Sequence, residues 1–384
     1  MHKLQIIGID IRLVSEERTG DSMVFRYLTR ALLKKRGEFH YRLYTHVTET
    51  EALNTLRHEL ECEGREDVEI ISLPGSRNRF VWNALMLPME LWRRPVSLYH
   101  TQYIAPLWLP RSVKLVTHVH DVSFTAHPEW IARSDRFFLN LLIPRSLRRS
   151  DRIVVPSQFT QEEIIRYYPV TQGKVMVIPN AVGEEWLEPI EPDLRKVVRV
   201  KYQLPKRYII ASGTMQPRKN IPFLIEAWAK RPEGLREVGL VLTGNPLGHH
   251  VDTRVGTVST EGIVFTGYVP TDELRALMAE SEVLAFPSLY EGFGIPLLEA
   301  FAVGTPVWAS DIPPFHEVGG EAFASFDPTS LAEAREILYS LFVDEARRER
   351  LANLGRKRLL AFSWSQSADR LLALYRKLCF PSTI

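Results

Sequence analysis

Short apolar, β-branched runs alternate with longer stretches of helical periodicity from one end of this chain to the other, and this alternation restricts the fold more than any other feature. The run LQIIGID at residues 4–10 reads as a buried strand, and residues 26–36 follow with Tyr27, Leu28, Ala31 and Leu32 on or near one helical face. Further strands are expected at residues 41–46, 68–73, 96–100, 113–121, 151–157 and 174–180. Strands separated in this way by helices imply a parallel sheet covered on both faces.

The pattern pauses at residues 183–198, GEEWLEPIEPDLRKVV, which are rich in proline and charge and carry no clear strand. A second series then begins, with strands expected at residues 207–213, 238–244, 262–267, 282–288 and 305–310. The expected organisation is α/β: two Rossmann-like, doubly wound domains in tandem. Residues 1–182 form the first and 201–362 the second, with a linker at 183–200 and a last helix at 363–384. A length of 384 residues suits two domains. Ligands of such sheets bind at the carboxyl ends of the strands, so the site is expected in a cleft that the two domains face.

Composition removes several classes of function. Lys and Arg total 48 against 46 Asp and Glu, a net charge of +2, which speaks against a nucleic-acid partner. Two cysteines, Cys62 and Cys379, make neither a disulfide framework nor a structural zinc site, and no histidine–cysteine cluster marks a metal. A cytoplasmic location is expected. The opening MHKLQIIGIDIRLV does not read as a signal peptide. The most apolar stretch, residues 80–92, contains Asn83, Pro88 and Glu90 and falls short of the ~20 residues of a membrane helix.

Two segments carry chemistry. In residues 288–310, SLYEGFGIPLLEAFAVGTPVWAS, Glu291 and Glu299 flank Gly292, Phe293, Gly294 and Pro296. Glycines suit a loop whose backbone meets a ligand, and proline suits a first helical turn. Glu291 is therefore expected on a strand-to-helix loop and Glu299 one turn into the helix. Either glutamate alone could equally be a favourable first-turn charge. In residues 211–228, ASGTMQPRKNIPFLIEAW, a strand runs into Gly213, then into Arg218 and Lys219, then into a helix with Asn220 as cap and Pro222 in its first turn. Two cations beside a helix N-terminus suit an anion, a diphosphate above all.

Together with FTGYVPTDEL at residues 265–274, these segments resemble the retaining glycosyltransferases of family 4, which have the GT-B fold. The family pattern E-G-F-G-x-P-x-x-E-A, preceded by G-x-x-x-x-R-K-N, is matched at residues 291–300 and 213–220. Weaker counterparts occur at GIDIRL, THVHDVSF, VPSQFTQEEI, VIPNAV and AFSW. The resemblance implies that Arg218 and Lys219 neutralise the diphosphate of a nucleotide sugar and that Glu299 holds the ribose hydroxyls. It implies that Glu291 binds hydroxyls of the transferred sugar, helped by the backbone around Gly292, Phe293 and Gly294. Tyr268 and Val269 would line the base, and His120 would approach the donor sugar, with His118 and Asp121 in support. The family's glycine-rich loop after the first strand is represented by RTGDSMVFRYL at residues 18–28, longer in spacing, which places Gly20 in the site. No metal or cofactor is implied, because the cations serve the diphosphate. The AFSW string implies that the last helix returns to the N-terminal domain.

The implied function is retaining transfer of a hexose to a glycan or lipid-linked glycan in surface-polysaccharide assembly. The donor is GDP-mannose, UDP-glucose or a UDP-N-acetylhexosamine, with a lean towards mannose. The alternatives are a nucleotide-sugar epimerase or phosphorylase of the same fold, or a non-catalytic protein that binds nucleotide or glycan. On the acceptor side, Arg145, Arg148, Arg149 and Arg152 recur at i, i+3, i+4 and i+7 after Pro144. Such a face meets anionic lipid headgroups on the inner face of a membrane or a lipid-diphosphate acceptor, or is simply solvated. Residues 80–92 are likewise either a membrane-contact segment or a core helix.

Overall fold

The computed structural model describes residues 5–15, 20–73, 78–244 and 261–380. The chain divides into two compact units. Unit 1 holds residues 1–125, 134–180 and 363–384; unit 2 holds residues 126–133 and 181–362.

Unit 1 is built on seven parallel strands: β1 (Gln5–Asp10), β2 (Phe39–Thr45), β3 (Val68–Ser72), β4 (Leu98–Gln102), β5 (Lys114–His118), β6 (Arg152–Val155) and β7 (Val175–Val177). Their order is β3-β2-β1-β4-β5-β6-β7, so the direction of winding reverses between β1 and β4. The helix Gly20–Lys34 buries Val24, Phe25, Leu28 and Leu32 at helical spacing. It starts earlier than the periodicity of residues 26–36 suggests, because Asp21 favours its first turn and Val24 and Phe25 extend its apolar face. Gly20 thus opens a helix; Arg18 and Thr19 lie outside the described residues.

The last helix, Trp364–Cys379, also belongs to unit 1. Trp364 stacks on Tyr27 with ring centroids 5.9 Å apart, and the Tyr375 hydroxyl lies 2.6 Å from His100 Nδ1. Ser367 donates to the Pro179 carbonyl at 2.6 Å. Leu371 and Tyr375 are fully buried along the same face.

Among the described residues, unit 2 has six parallel strands: β8 (Arg207–Ser212), β9 (Val238–Thr243), β10 (Ile263–Gly267), β11 (Val283–Phe286), β12 (Val307–Ser310) and β13 (Ala324–Phe326). Their order is β10-β9-β8-β11-β12-β13. Counted within the unit this is 3-2-1-4-5-6, the dinucleotide-binding arrangement, with its switch point between β8 and β11. Both faces are covered. Tyr208, Ile210, Leu284 and Phe286 point into one core, while Ile209, Ala211, Val283 and Ala285 point into the other. That explains why these strands read as continuous apolar runs rather than alternating ones.

Three placements differ from the sequence reading. Residues 183–200, expected as a linker, form a short helical turn, Glu184–Leu187, and the start of the helix Pro192–Lys201; Trp186 and Val198 enter a core of unit 2. Residues 126–133 join unit 2, where the His127 ring stacks on Trp130 and meets Tyr290 edge-on at 5.6 Å. The arginine face at residues 145–152 is not one helical face. The helix Arg133–Arg149 runs through Pro144, carried by the apolar residues before it, and Arg152 opens β6. Arg149 turns inward to the carbonyls of Val113 and Pro110.

Candidate active site

The loops after β8 and β11, the two strands at the switch point of unit 2, carry the motif residues. Gly213 ends β8 at φ +134°, a conformation that side-chain-bearing residues rarely adopt, and the Lys219 side chain lies over it. A turn at Pro217–Lys219 then presents Arg218 and Lys219. Asn220, at φ +54°, occupies the cap of the helix Ile221–Ala229, but its side chain makes no capping hydrogen bond and donates instead to the Pro328 carbonyl at 3.0 Å. The Leu289 amide donates to the Arg218 carbonyl at 2.8 Å, which ties the two loops together.

Across that tie the charged groups converge. Lys219 Nζ donates to Glu291 Oε1 at 2.6 Å, Arg218 Nη1 to Oε2 at 2.7 Å, and Ser288 Oγ to Oε1 at 2.8 Å. Arg218 Nε donates to Gln216 Oε1 at 3.0 Å, and Lys219 Nζ lies 5.1 Å from the centre of the Phe286 ring. Glu291 is buried. Burial alone would push its carboxyl up, but the Arg218 and Lys219 charges and the hydrogen bonds outweigh it and hold the group at about 2. The site is therefore an ionised carboxylate set between two cations.

Gly294, at φ +103°, turns the chain into the helix Ile295–Val303; a Cβ there would stand 2.9 Å from the Phe315 ring. The backbone of Gly292, Phe293 and Gly294 precedes this helix N-terminus, a position suited to an anion or a hydroxyl oxygen. Phe293 is itself buried and meets Phe362 edge-on. Glu299 is the fifth residue of the helix. Its carboxyl is pushed up to about 7, first by burial and then by the Glu185 charge, with Lys219 opposing. After β10, Tyr268 is exposed and Val269 is buried in the core, so a ligand there would meet Val269 through its backbone.

Unit 1 carries the remaining candidates. His120 follows β5, and its Nε2 lies 2.8 Å from Gln102 Oε1. Facing an amide oxygen, Nε2 carries the ring proton, which leaves the buried Nδ1 as an acceptor with no hydrogen-bond partner among the described residues. The His118 ring stacks on His120 at 4.6 Å, and His118 stacks on His100 at 5.8 Å. Burial holds His118 well below the usual histidine range and His100 at about 3, so both are neutral. Tyr103, at φ +51°, places its ring 5.7 Å from His120 and its hydroxyl 3.5 Å from Asp21 at the start of the Gly20–Lys34 helix. Gly20 and His120 are thereby brought into one neighbourhood. Asp121 accepts from the Ser123 amide and hydroxyl and shapes the following turn.

Sequence reasoning missed Ser288, Gln216, Glu185 and Gln102. Ser288 and Gln216 stand inside the two motifs and could have been found there. Glu185 and Gln102 reach their partners only through the fold.

The chain matches the model of the family described as "Glycosyl transferases group 1" over residues 196–358 and that of "Glycosyltransferase Family 4" over residues 20–186. It is 33% identical over 279 residues to an O-antigen chain mannosyltransferase B of Escherichia coli, covering 71% of this chain and 72% of that protein. It is 31% identical over 240 residues to the serotype-specific mannosyltransferase WbdA of Escherichia coli, covering 60% of this chain but 29% of that longer protein. Among solved structures, the sucrose-phosphate synthase of Thermosynechococcus elongatus superposes with a TM-score of 0.74 at 20% identity, covering 97% of this chain and 99% of that one. The fold is thus that of the GT-B glycosyltransferases. The chain belongs to glycosyltransferase family 4 and is a mannosyltransferase-like hexosyltransferase.

Proposed function

We propose that this enzyme transfers mannose, with retention of configuration, from a nucleotide-diphosphate sugar such as GDP-mannose to a glycan or lipid-linked glycan acceptor of surface-polysaccharide assembly. The carrying observation is the Arg218–Glu291–Lys219 cluster at the carboxyl ends of the two switch-point strands. The choice of mannose and of polysaccharide assembly is supported by the O-antigen mannosyltransferase relative.

As the glycosidic bond lengthens, positive charge grows on the sugar and negative charge on the departing diphosphate. Arg218 and Lys219, fixed in place by Glu291, meet the diphosphate with preorganised donors, and the amides of residues 292–294 add the dipole of a helix N-terminus. Cations already positioned need no reorganisation, so the reading includes independence of any divalent metal. Glu299 accepts from the ribose hydroxyls, the backbone beside Tyr268 and Val269 lines the base, and Glu291 reaches the sugar hydroxyls. His120 Nδ1 accepts a hydrogen bond from a hydroxyl of the donor sugar. With Glu291 committed to two cations, retention falls to front-face attack, in which the leaving phosphate oxygen takes the acceptor's proton.

The test is incubation with labelled GDP-mannose, UDP-glucose and UDP-N-acetylglucosamine, with and without EDTA, followed by product analysis. Mannosyl product from GDP-mannose that survives chelation supports the reading; product only from a UDP-sugar, or none after chelation, overturns the donor or the metal independence respectively.

A further inference from the structure

Residues 79–93 bury one apolar set and display another. Trp82, Leu87 and Leu91 are fully buried in a core of unit 1. Met89 is 69% exposed and Trp92 66%, with Leu85 exposed one turn before Met89. A π-helical turn at Trp82–Met86 precedes the helix Leu87–Arg93, and positions 85, 89 and 92 share its outer face. Trp108, 68% exposed, lines the same groove. Two hydrogen bonds tie the neighbouring segments to this one: the Leu107 amide donates to the Asn83 carbonyl, and Arg145 donates to the Leu107 carbonyl. Arg145 belongs to the helix Arg133–Arg149, whose Leu141 and Phe137 are also exposed, about one and two turns upstream. The core is already filled from beneath, so these side chains are surplus to folding. A cluster of exposed large apolar side chains, as at Leu85, Met89, Trp92 and Trp108, marks an interaction site.

We propose that this face of unit 1 docks on an anionic lipid bilayer. The charges around it point to that occupant. Among the described side chains on these segments, the exposed charged ones are Arg93, Arg111, Arg136, Arg145 and Arg148 against one aspartate, Asp135. Glu90, also in the groove, is turned to Arg94 at 3.8 Å. Two tryptophans set among arginines suit the headgroup level, where indole rings and guanidinium groups both find partners. A second copy is disfavoured, because a two-fold contact would bring one arginine rim against another. Among the described residues no helix is long and apolar enough to cross a membrane, and the proposed contact is a peripheral one. The inference deepens the lipid-linked acceptor of the proposed function but stands apart from the donor chemistry, which rests on unit 2.

The test is flotation with vesicles of phosphatidylcholine alone and of equal parts phosphatidylcholine and phosphatidylglycerol. The wild type should bind the mixed vesicles, bind the neutral ones far less, and be released by salt. The triple variant Met89→Ser, Trp92→Ser, Trp108→Ser should lower the bound fraction about tenfold or more. The double variant Arg93→Glu, Arg136→Glu should lose the preference for anionic vesicles. Both variants should keep the wild-type melting temperature and GDP affinity by calorimetry, which separates this surface from the donor site. Wild-type vesicle binding by the triple variant would overturn the proposal. So would absence of binding by the wild type, or a dimer in light scattering that the triple variant dissolves.

Discussion

Lys219 is hydrogen-bonded to Glu291 at 2.6 Å, so the cation assigned to the diphosphate and the carboxylate assigned to the sugar are direct partners. Arg218 holds the other carboxylate oxygen, and the three groups behave as one unit. From sequence alone, replacing either cation should cost binding and little else. The pairing changes that expectation. Lys219→Ala or Arg218→Ala leaves a buried carboxylate with one cation fewer and should lower stability as well as affinity. Each lost charge-assisted hydrogen bond is worth about 1.5–3 kcal/mol. GDP affinity by calorimetry should fall accordingly, and the melting temperature of unit 2 should fall with it. Unchanged affinity in the double variant would remove both cations from the diphosphate site.

Glu291→Gln separates anchoring from charge. The amide keeps the shape and can still accept from Lys219, but the two cations lose their shared counter-charge and become more available to phosphate. GDP should bind at least as tightly as to the wild type, while the rate of sugar transfer falls because the cations are no longer held in register. Weaker GDP binding together with normal transfer would reverse the assigned roles.

Glu299 sets a pH dependence whose sign follows from its carboxyl standing at about 7 rather than 4.5. The folded protein holds this proton more tightly than the unfolded chain does, so stability falls as pH rises from 4.5 to 7. Glu291 has the opposite sign, and its contribution is lost as pH falls from 4.5 towards 2. A ribose hydroxyl donates more strongly to the ionised form of Glu299. Nucleotide affinity should therefore rise between about pH 6 and 8, a window centred on this titration. Glu299→Gln should flatten both the stability slope and the affinity slope. The same variant controls for ionisation of the nucleotide's own phosphate; a slope that persists in it belongs to the phosphate.

Gln102 acts through His120. Its amide oxygen fixes the proton on Nε2, which makes Nδ1 the acceptor. Gln102→Leu removes that constraint while filling similar space, and the ring then samples both tautomers. The turnover number should fall several-fold with GDP affinity unchanged, and Gln102→Glu should restore most of it, because a carboxylate accepts from Nε2 as well. If Gln102→Leu changes KM or melting temperature but not kcat, the contact serves folding alone.

How much of this was legible beforehand depended on range along the chain. The strands of both sheets were readable because burial on two faces leaves long apolar runs, as in RYIIAS and VGLVLT. β13 was missed: Ala324–Phe326 is three residues long, with no β-branched side chain. The π turn at residues 82–86 has no period of its own, so the split of residues 80–92 into a core face and a surface face was invisible. The two motifs located Arg218, Lys219, Glu291 and Glu299, but not that the first three are bonded together, since that depends on β8 and β11 being neighbours. Glu185 was read as part of a charged linker, and its effect on Glu299 arises only once residues 184–187 fold into unit 2.

The last helix makes unit 1 depend on the far end of the chain. Tyr375 is buried, and its hydroxyl is the partner of His100 Nδ1, while His100 Nε2 has none among the described residues. Tyr375→Phe would leave both ring nitrogens of a buried histidine unpartnered, a cost of about 1–3 kcal/mol. Leu371→Ala opens a cavity against the Gly20–Lys34 helix and should cost about 2–5 kcal/mol. Ending the chain at Ser363 removes both contacts together with the Trp364–Tyr27 stack, and uncovers the face of the Gly20–Lys34 helix that the last helix packs on. Calorimetry of that truncated chain should show the unit 1 transition moved to lower temperature or lost, with the unit 2 transition close to its original position. Hydrogen exchange should report the same division, with amides of β1, β2 and the Gly20–Lys34 helix losing protection and those of β8 and β11 keeping it. Equal loss of protection in both sheets would mean that the helix stabilises the chain as a whole rather than the unit it packs in.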